Sequence, residues 1–350
     1  MAKGFTQVFG IDFDETFSPV ARLDAIHLLF AEACMQDWEI HQIDIKSAFL
    51  NGDLDEEIYM EQPQGFIMDK NKVYRLKKVL YGLKQASRQW FLKLTWALDQ
   101  LGYVRFHGED TIWFFDNRDG EDPTNSFNNM LCIVILYVDD ITIIANNSDA
   151  IRLAEEELAQ HFELSRSTEM THFLGLHIIR DRSKKTLSIN QSKYISDVLA
   201  RFEVDTKPTF LPMPIGRKFE RSTIPEEKID QVFRRKYQSI IGSLMYAMLG
   251  SRPDISFAVT KLAQFASNPT EVHMDAAHYI LRYLHSTRNM TLTYGVNKKI
   301  GKDLIGFSDS DWAADHLDRK SISGNVFIYF GGAVSWLHNS QTAHGFYFDH

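Results

Sequence analysis

Ile133-Val134-Ile135-Leu136-Tyr137-Val138-Asp139-Asp140-Ile141-Thr142-Ile143-Ile144 sets two adjacent carboxylates in a run that is otherwise apolar and rich in β-branched residues. Such a run reads as two short strands joined by a tight turn, with the acids at the tip. Asp-Asp in a turn is by itself ordinary chemistry, because Asp tolerates left-handed backbone and bonds its own main chain. The flanks argue for more. A solvent-exposed hairpin does not need apolar residues on both faces of each strand, so this one belongs inside a sheet. Like charges held side by side raise the pKa of one of them and call for a cation. Mg2+, which binds through one or two carboxylates plus substrate phosphates, suits the pair.

Outward from the hairpin, the chain has 350 residues, room for about two or three domains. The net charge of −8 means that nucleic-acid binding must rest on local patches rather than the overall balance. Cys34 and Cys132 are too few for a disulfide scaffold and fit a reducing compartment. Neither Cys-x-x-Cys nor His-Glu-x-x-His occurs, so no zinc motif is evident. The longest apolar run, Leu131 to Val138, falls far short of the roughly 20 residues that span a bilayer. The start of the chain has no apolar signal region.

Periodicity predicts helices over Leu23 to Met35, Ala86 to Leu101, Ser148 or Asp149 to Phe162, Tyr194 to Phe202, and near 230–249, 254–267 and 271–286. Strands are expected over Trp38 to Ile45, Ile58 to Met60, Phe173 to Arg180, Thr186 to Ile189, Leu304 to Phe307, Asn325 to Phe330 and Ala333 to Trp336. Asp119 to Asn129 reads as a polar loop. Pro208, Pro212, Pro214 and Pro225 mark a linker or an ordered extended crossing.

A phosphoryl-transfer site that clamps attacking and leaving oxygens between two cations usually draws on three carboxylates. Asp139 and Asp140 are two. Asp44, which ends a strand-like stretch and precedes a turn, is placed to be the third. Phe49, five positions on, would lie under an incoming sugar if it is not simply core. Lys70, Lys72, Arg75, Lys77, Lys78, Lys84, Arg88 and Lys93 occur with no acid among them, interleaved with Tyr74, Tyr81 and Trp90. That run is either a solvated face or a phosphate-binding strip on which bases stack.

At this point the chain resembles the reverse transcriptase of copia-type retrotransposons. The matching stretches are Ala2-Lys3-Gly4-Phe5-Thr6-Gln7, Glu15-Thr16-Phe17-Ser18-Pro19-Val20-Ala21, Gln42-Ile43-Asp44-Ile45-Lys46-Ser47-Ala48-Phe49-Leu50-Asn51-Gly52, Leu80-Tyr81-Gly82-Leu83-Lys84-Gln85-Ala86-Ser87-Arg88-Gln89-Trp90, Tyr137-Val138-Asp139-Asp140 and Phe173-Leu174-Gly175. Later come Ile241-Gly242-Ser243-Leu244-Met245-Tyr246, Arg252-Pro253-Asp254-Ile255 and Asp309-Ser310-Asp311-Trp312-Ala313. The resemblance runs through essentially the whole chain in the family's order. It implies an α+β right-hand polymerase: fingers and palm over 1–180, a small antiparallel palm sheet, a helical thumb and connection over 181–295, and a partial ribonuclease H-like sheet over 296–350.

The resemblance assigns Asp44, Asp139 and Asp140 as catalytic and metal-binding residues. Phe49 becomes the aromatic that blocks a ribose 2′-hydroxyl. Tyr81, Gly82, Lys84, Gln85 and Arg88 line template and nucleotide, and Phe173, Leu174 and Gly175 form a primer grip. Implied cofactors are two Mg2+ ions, with Mn2+ as an alternative. Implied partners are an RNA template, a DNA primer and a deoxynucleoside triphosphate, with a homodimer left open and no membrane. The implied setting is a cytoplasmic retroelement particle or the nucleus.

The family has a basic segment upstream of Lys3-Gly4-Phe5, and proline where this chain has Ser87. It also continues past Ser335-Trp336 to further nuclease acids, whereas this chain ends at His350. Incomplete fingers and a vestigial nuclease site at Asp309 are therefore expected, with no ribonuclease H activity. A catalytically silent remnant that binds nucleic acid or a partner is the alternative.

Overall fold

A computed structural model describes residues 2–118, 129–165, 167–205, 207–295, 303–310 and 321–340. Residues 119–128 of the expected Asp119 to Asn129 loop, Asp311 and the tail at 341–350 lie outside the described residues. The chain forms two compact units. The first comprises residues 1–22 and 36–170, the second 23–35 and 171–350. Helix α1 (Leu23–Gln36) thus belongs almost wholly to the second. Both units mix helix with antiparallel sheet, as expected.

The first unit contains β1 (Glu39–Asp44), β2 (Tyr59–Met60), β3 (Tyr74–Arg75), α2 (Ala86–Gln100), β4 (Val104–Arg105), β5 (Ile112–Asn117), β6 (Met130–Tyr137), β7 (Asp140–Ala145), α3 (Ser148–Leu158) and β8 (Thr168–Glu169). Six strands form one sheet in the order β4-β5-β6-β7-β1-β8. Strand β6 is apolar on both faces because it lies in the middle of that sheet. Alternate residues Ile43, Cys132, Val134, Leu136, Ile141 and Ile143 make one wall of a core. Trp90, Leu94, Ala97 and Leu98 of α2, at helical spacing, make the opposite wall with Ile151, Ala154 and Leu158 of α3. Helix α3 is capped by Asn147, whose side chain accepts from Ala150 N at 2.8 Å. The cap thus lies before the expected Ser148 or Asp149, and the helix stops at Leu158 rather than Phe162.

The second unit adds β9 (His172–Phe173), β10 (Leu176–Asp181), β11 (Thr186–Asn190), α4 (Ser192–Arg201), α5 (Gln231–Gly250), α6 (Ser256–Ala263), α7 (Glu271–Ser286), β12 (Leu292–Tyr294), β13 (Ile305–Ser310), β14 (Ile322–Tyr329) and β15 (Gly332–Ser340). Helices α4 to α7 share a core built on Leu199, Tyr237, Leu244, Val259 and Ile280. The proline-rich stretch is an ordered crossing rather than a linker. Phe219 is buried in that core, and Thr209 N donates to Ser286 Oγ at 3.2 Å. Strands run β12-β11-β10-β9 in one sheet and β13-β14-β15 in another. An incomplete nuclease sheet would leave Asn325 to Phe330 or Ala333 to Trp336 as an exposed edge; among the described residues the first lies in the central strand, paired on both sides, and the second in the outer strand β15. Among the described residues no helix is long and apolar enough to cross a membrane.

His27 of α1 is buried, with Nε2 3.0 Å from Gly250 O and its ring stacked 5.2 Å from Trp336. Burial lowers its pKa from 6.5 to about 4. The unfolded chain therefore takes up that proton first as pH falls. The stability tied to neutral His27 is complete above about 6.5 and is lost towards about 4. The loss amounts to about 3 kcal/mol. His27→Gln is expected to flatten this part of the acid limb, read as urea midpoints compared with the parent chain between about pH 7 and pH 4.5. Parallel acid limbs in the two proteins would refute the assignment.

Candidate active site

Strand β1 pairs with β7 so that Asp44 stands directly opposite Asp140. Strands β6 and β7 pair Tyr137 with Asp140, leaving Val138 and Asp139 as a two-residue turn. The tip thus lies one residue earlier than the sequence suggests: Asp139 is in the turn and Asp140 begins the returning strand. This register brings Asp44, Asp139 and Asp140, from two distant stretches, to the same end of the sheet. Gln42, the neighbour of Asp140 across the strands, donates from Nε2 to Asp140 Oδ1 at 3.0 Å. Burial raises the pKa of Asp140, and the charges of Asp139 and Asp44 push the same way against the Gln42 hydrogen bond. The ionised site is therefore under like-charge stress.

The turn itself is strained. Val138 has φ of 60°, a left-handed backbone that a β-branched residue rarely adopts. Such a conformation costs about 1–3 kcal/mol and persists only where the surroundings enforce it. Trp90 Nε1 donates to Val138 O at 2.8 Å. Trp90 is completely buried, not an exposed aromatic among the lysines as its sequence neighbours suggest. Asp44 O accepts from both the N–H and the Oγ of Ser165, at 2.8 and 2.7 Å, which anchors the end of β1.

Phe49 is half-buried beside this strand end, its ring 4.5 Å from that of Tyr81. Gly82 has φ of +99°, and a Cβ there would lie 2.3 Å from Ala2 O. The turn at 81–85 therefore lies tight against the N-terminal segment, and Ala2 N donates to Tyr81 O at 2.7 Å. Gln85, expected to line a nucleotide, is fully buried. Its amide donates to Asp12 O and to Glu56 Oε2 and accepts from Gln7 Nε2. In this arrangement it holds the turn and has no surface to offer a ligand. Lys84 is exposed, with Nζ 5.1 Å from the centroid of the Phe13 ring.

The basic stretch is not a bare strip. Lys78 and Lys93 both pair with Asp53, Lys72 with Asp69, Arg75 with Glu57 and Arg88 with Glu15. Apart from Asp69, which borders the run, its acids come from stretches remote in sequence, where a linear reading could not see them. These pairs are solvent-exposed or nearly so and are worth little in stability, but they lower the net positive field that phosphate would meet. In the second unit, Phe173 is buried while Leu174 and Gly175 turn through positive φ. The Tyr246 hydroxyl donates to Leu174 O there, a partner sequence reading had not assigned. Asp309 is exposed on β13 opposite Gly324.

Among the described residues, no three His, Cys, Asp or Glu side chains form a group that could by itself hold a metal ion. The donors at the strand ends are hard carboxylates, the kind Mg2+ prefers. They suit a cation shared with substrate phosphates rather than one caged by protein alone.

Residues 1–215 match the family described as reverse transcriptase (RNA-dependent DNA polymerase). The chain belongs to that family. It is 40% identical over 347 residues to the retrovirus-related Pol polyprotein from transposon TNT 1-94 of Nicotiana tabacum, covering 97% of this chain and 25% of that protein. It is 36% identical to the corresponding polyprotein from transposon RE1 of Arabidopsis thaliana, over 97% of this chain and 22% of that one. It is 30% identical to the putative transposon Ty5-1 protein YCL074W of Saccharomyces cerevisiae, over 84% of this chain and 91% of that protein. These are copia-type relatives, and the chain spans about a quarter of the length of the plant polyproteins.

Proposed function

We propose that this chain is the RNA-directed DNA polymerase portion of a copia-type element. It would extend a DNA primer on an RNA template with deoxynucleoside triphosphates. The observation that carries the reading is the register that sets Asp44 opposite Asp140, with Asp139 in the adjoining turn. In this reading the six-stranded sheet is the palm, the segments around 2–20 and 46–85 belong to the fingers, and helices α4 to α7 supply thumb and connection. Strands β13 to β15 are the start of a ribonuclease H-like sheet, and Leu174-Gly175 grips the primer.

The reaction joins a primer 3′-oxygen to the α-phosphorus and releases pyrophosphate. Asp44, Asp139 and Asp140 would hold a pair of Mg2+ ions, which when bound neutralise charge on the attacking and leaving oxygens. Gln42 fixes one Asp140 oxygen, so that carboxylate is aimed before substrate arrives. Phe49, backed by Tyr81, would close the space beside the sugar C2′.

Extension of oligo(dT) on poly(rA) with dTTP and Mg2+ tests the reading. Incorporation by the parent chain supports it. Retained binding to the hybrid duplex with no incorporation would instead favour the silent remnant. Phe49→Val is expected to raise the ratio of ribonucleotide to deoxynucleotide incorporation by about tenfold to a hundredfold, since a few methyl-sized groups set such discrimination. An unchanged ratio in an active Phe49→Val protein would remove Phe49 from this role.

A further inference from the structure

The strained peptide at Val138 receives a hydrogen bond from a side chain of α2. Trp90 stands near the start of α2, and its ring packs edge-on against Phe162 with centroids 5.2 Å apart. Surrounding apolar residues would accept any large ring. Its N–H is the one polar group the ring carries, and it is spent on the carbonyl of the left-handed residue. That carbonyl immediately precedes Asp139, and the next residue along is Asp140.

We infer that Trp90 is a positioning residue for the acid-bearing turn: its indole N–H holds the Val138 peptide left-handed and so aims the Asp139 and Asp140 carboxylates. The ring filling is generic, whereas the hydrogen bond is specific. Without it, the half-buried Val138 O loses its partner, and the turn is free to relax towards an ordinary right-handed or extended Val. Relaxation at φ of residue 138 swings the peptide that carries Asp139. A displacement near 1 Å at a reacting centre costs about a hundredfold in rate. The inference deepens the polymerase reading, and its activity arm rests on that reading.

Two replacements separate the N–H from the ring. Trp90→Phe removes it with some loss of volume. β-(3-benzothienyl)alanine at position 90 replaces N–H by sulfur in the same bicyclic frame. Trp96→Phe, on the exposed side of α2, serves as control. Amide hydrogen exchange of peptides covering 137–141 is expected to quicken about tenfold in both replacements, the equivalent of one hydrogen bond, and to stay unchanged in the control. In primer extension, kcat is expected to fall about tenfold to a hundredfold, with KM for dTTP and affinity for the primer–template unchanged. Parent-like exchange at 137–141 in both replacements would overturn the inference. A parent chain that exchanges normally but incorporates nothing would count against the polymerase reading alone, and the exchange comparison would still judge the clamp.

Discussion

Asp140→Asn is expected to abolish Mg2+-dependent incorporation, a loss of about a thousandfold or more, while leaving the fold at least as stable. The substitution keeps the size of the side chain and an oxygen that can still accept from Gln42. What it removes is charge. Burial and the nearby Asp139 and Asp44 disfavour the ionised form of Asp140 in the fold, so a neutral amide relieves stress that the native chain carries at neutral pH. Activity and stability should therefore move in opposite directions, a pattern typical of functional sites. Asp44→Asn should match it in activity, because the two side chains face each other across β1 and β7. Extension within about tenfold of the parent by a folded Asp140→Asn protein would exclude a catalytic role for the pair.

Arg252→Met should destabilise the second unit by about 3 kcal/mol, the low end for breaking a buried ion pair, because Asp254 keeps 29% of its side chain exposed. The Arg252 side chain is 2% exposed. Its guanidinium bonds both oxygens of Asp254, at 2.9 and 2.7 Å, and reaches Thr287 O at 3.2 Å and Thr287 Oγ1 at 2.7 Å. It also lies 5.5 Å from the Tyr283 ring centroid, and the Tyr283 hydroxyl donates to Asp254 Oδ2. The network ties the connection after α5 to the end of α7. Met fills the space but leaves the Asp254 carboxylate without its bidentate partner. Lys keeps the charge but not the planar fork, and should recover only part of the loss. Chemical denaturation measures the effect. A cost below about 1 kcal/mol would show that the pair merely fills space.

Much of the fold is legible in the sequence because its elements have strong periods. The helices at 23–36, 86–100, 231–250 and 271–286 and the central hairpin follow apolar spacing closely. The hairpin tip falls one residue before the expected Asp139–Asp140 for a physical reason. Asp is the better turn former, yet the alternation of Cys132, Val134 and Leu136 with Ile141 and Ile143 sets the register. That register leaves a valine in the left-handed position. The membership of α1 in the second unit depends on tertiary packing that carries no local signal. So does the pairing of the lysines and arginines with Asp53, Glu57 and Glu15.

For the site, sequence alone singles out the Asp139–Asp140 pair as unusual and Asp44 as the third acid by position. The burial of Gln85 and Trp90 carries no local signal, since it follows only once the N-terminal segment and the hairpin have packed. Gln42 gains its role only through the strand register. Its signal was its place two residues before Asp44 on a strand, on the same face.

A cation shared by Asp44 and Asp140 across two strands needs both carboxylates. A Mn2+ titration followed by electron paramagnetic resonance, in the presence of dTTP and a poly(rA)–oligo(dT) duplex, decides whether they share one. The parent chain should bind Mn2+ well beyond what the nucleotide and duplex bind alone, and Asp44→Asn and Asp140→Asn should each abolish that excess. Equal excess binding by all three folded proteins would contradict the account.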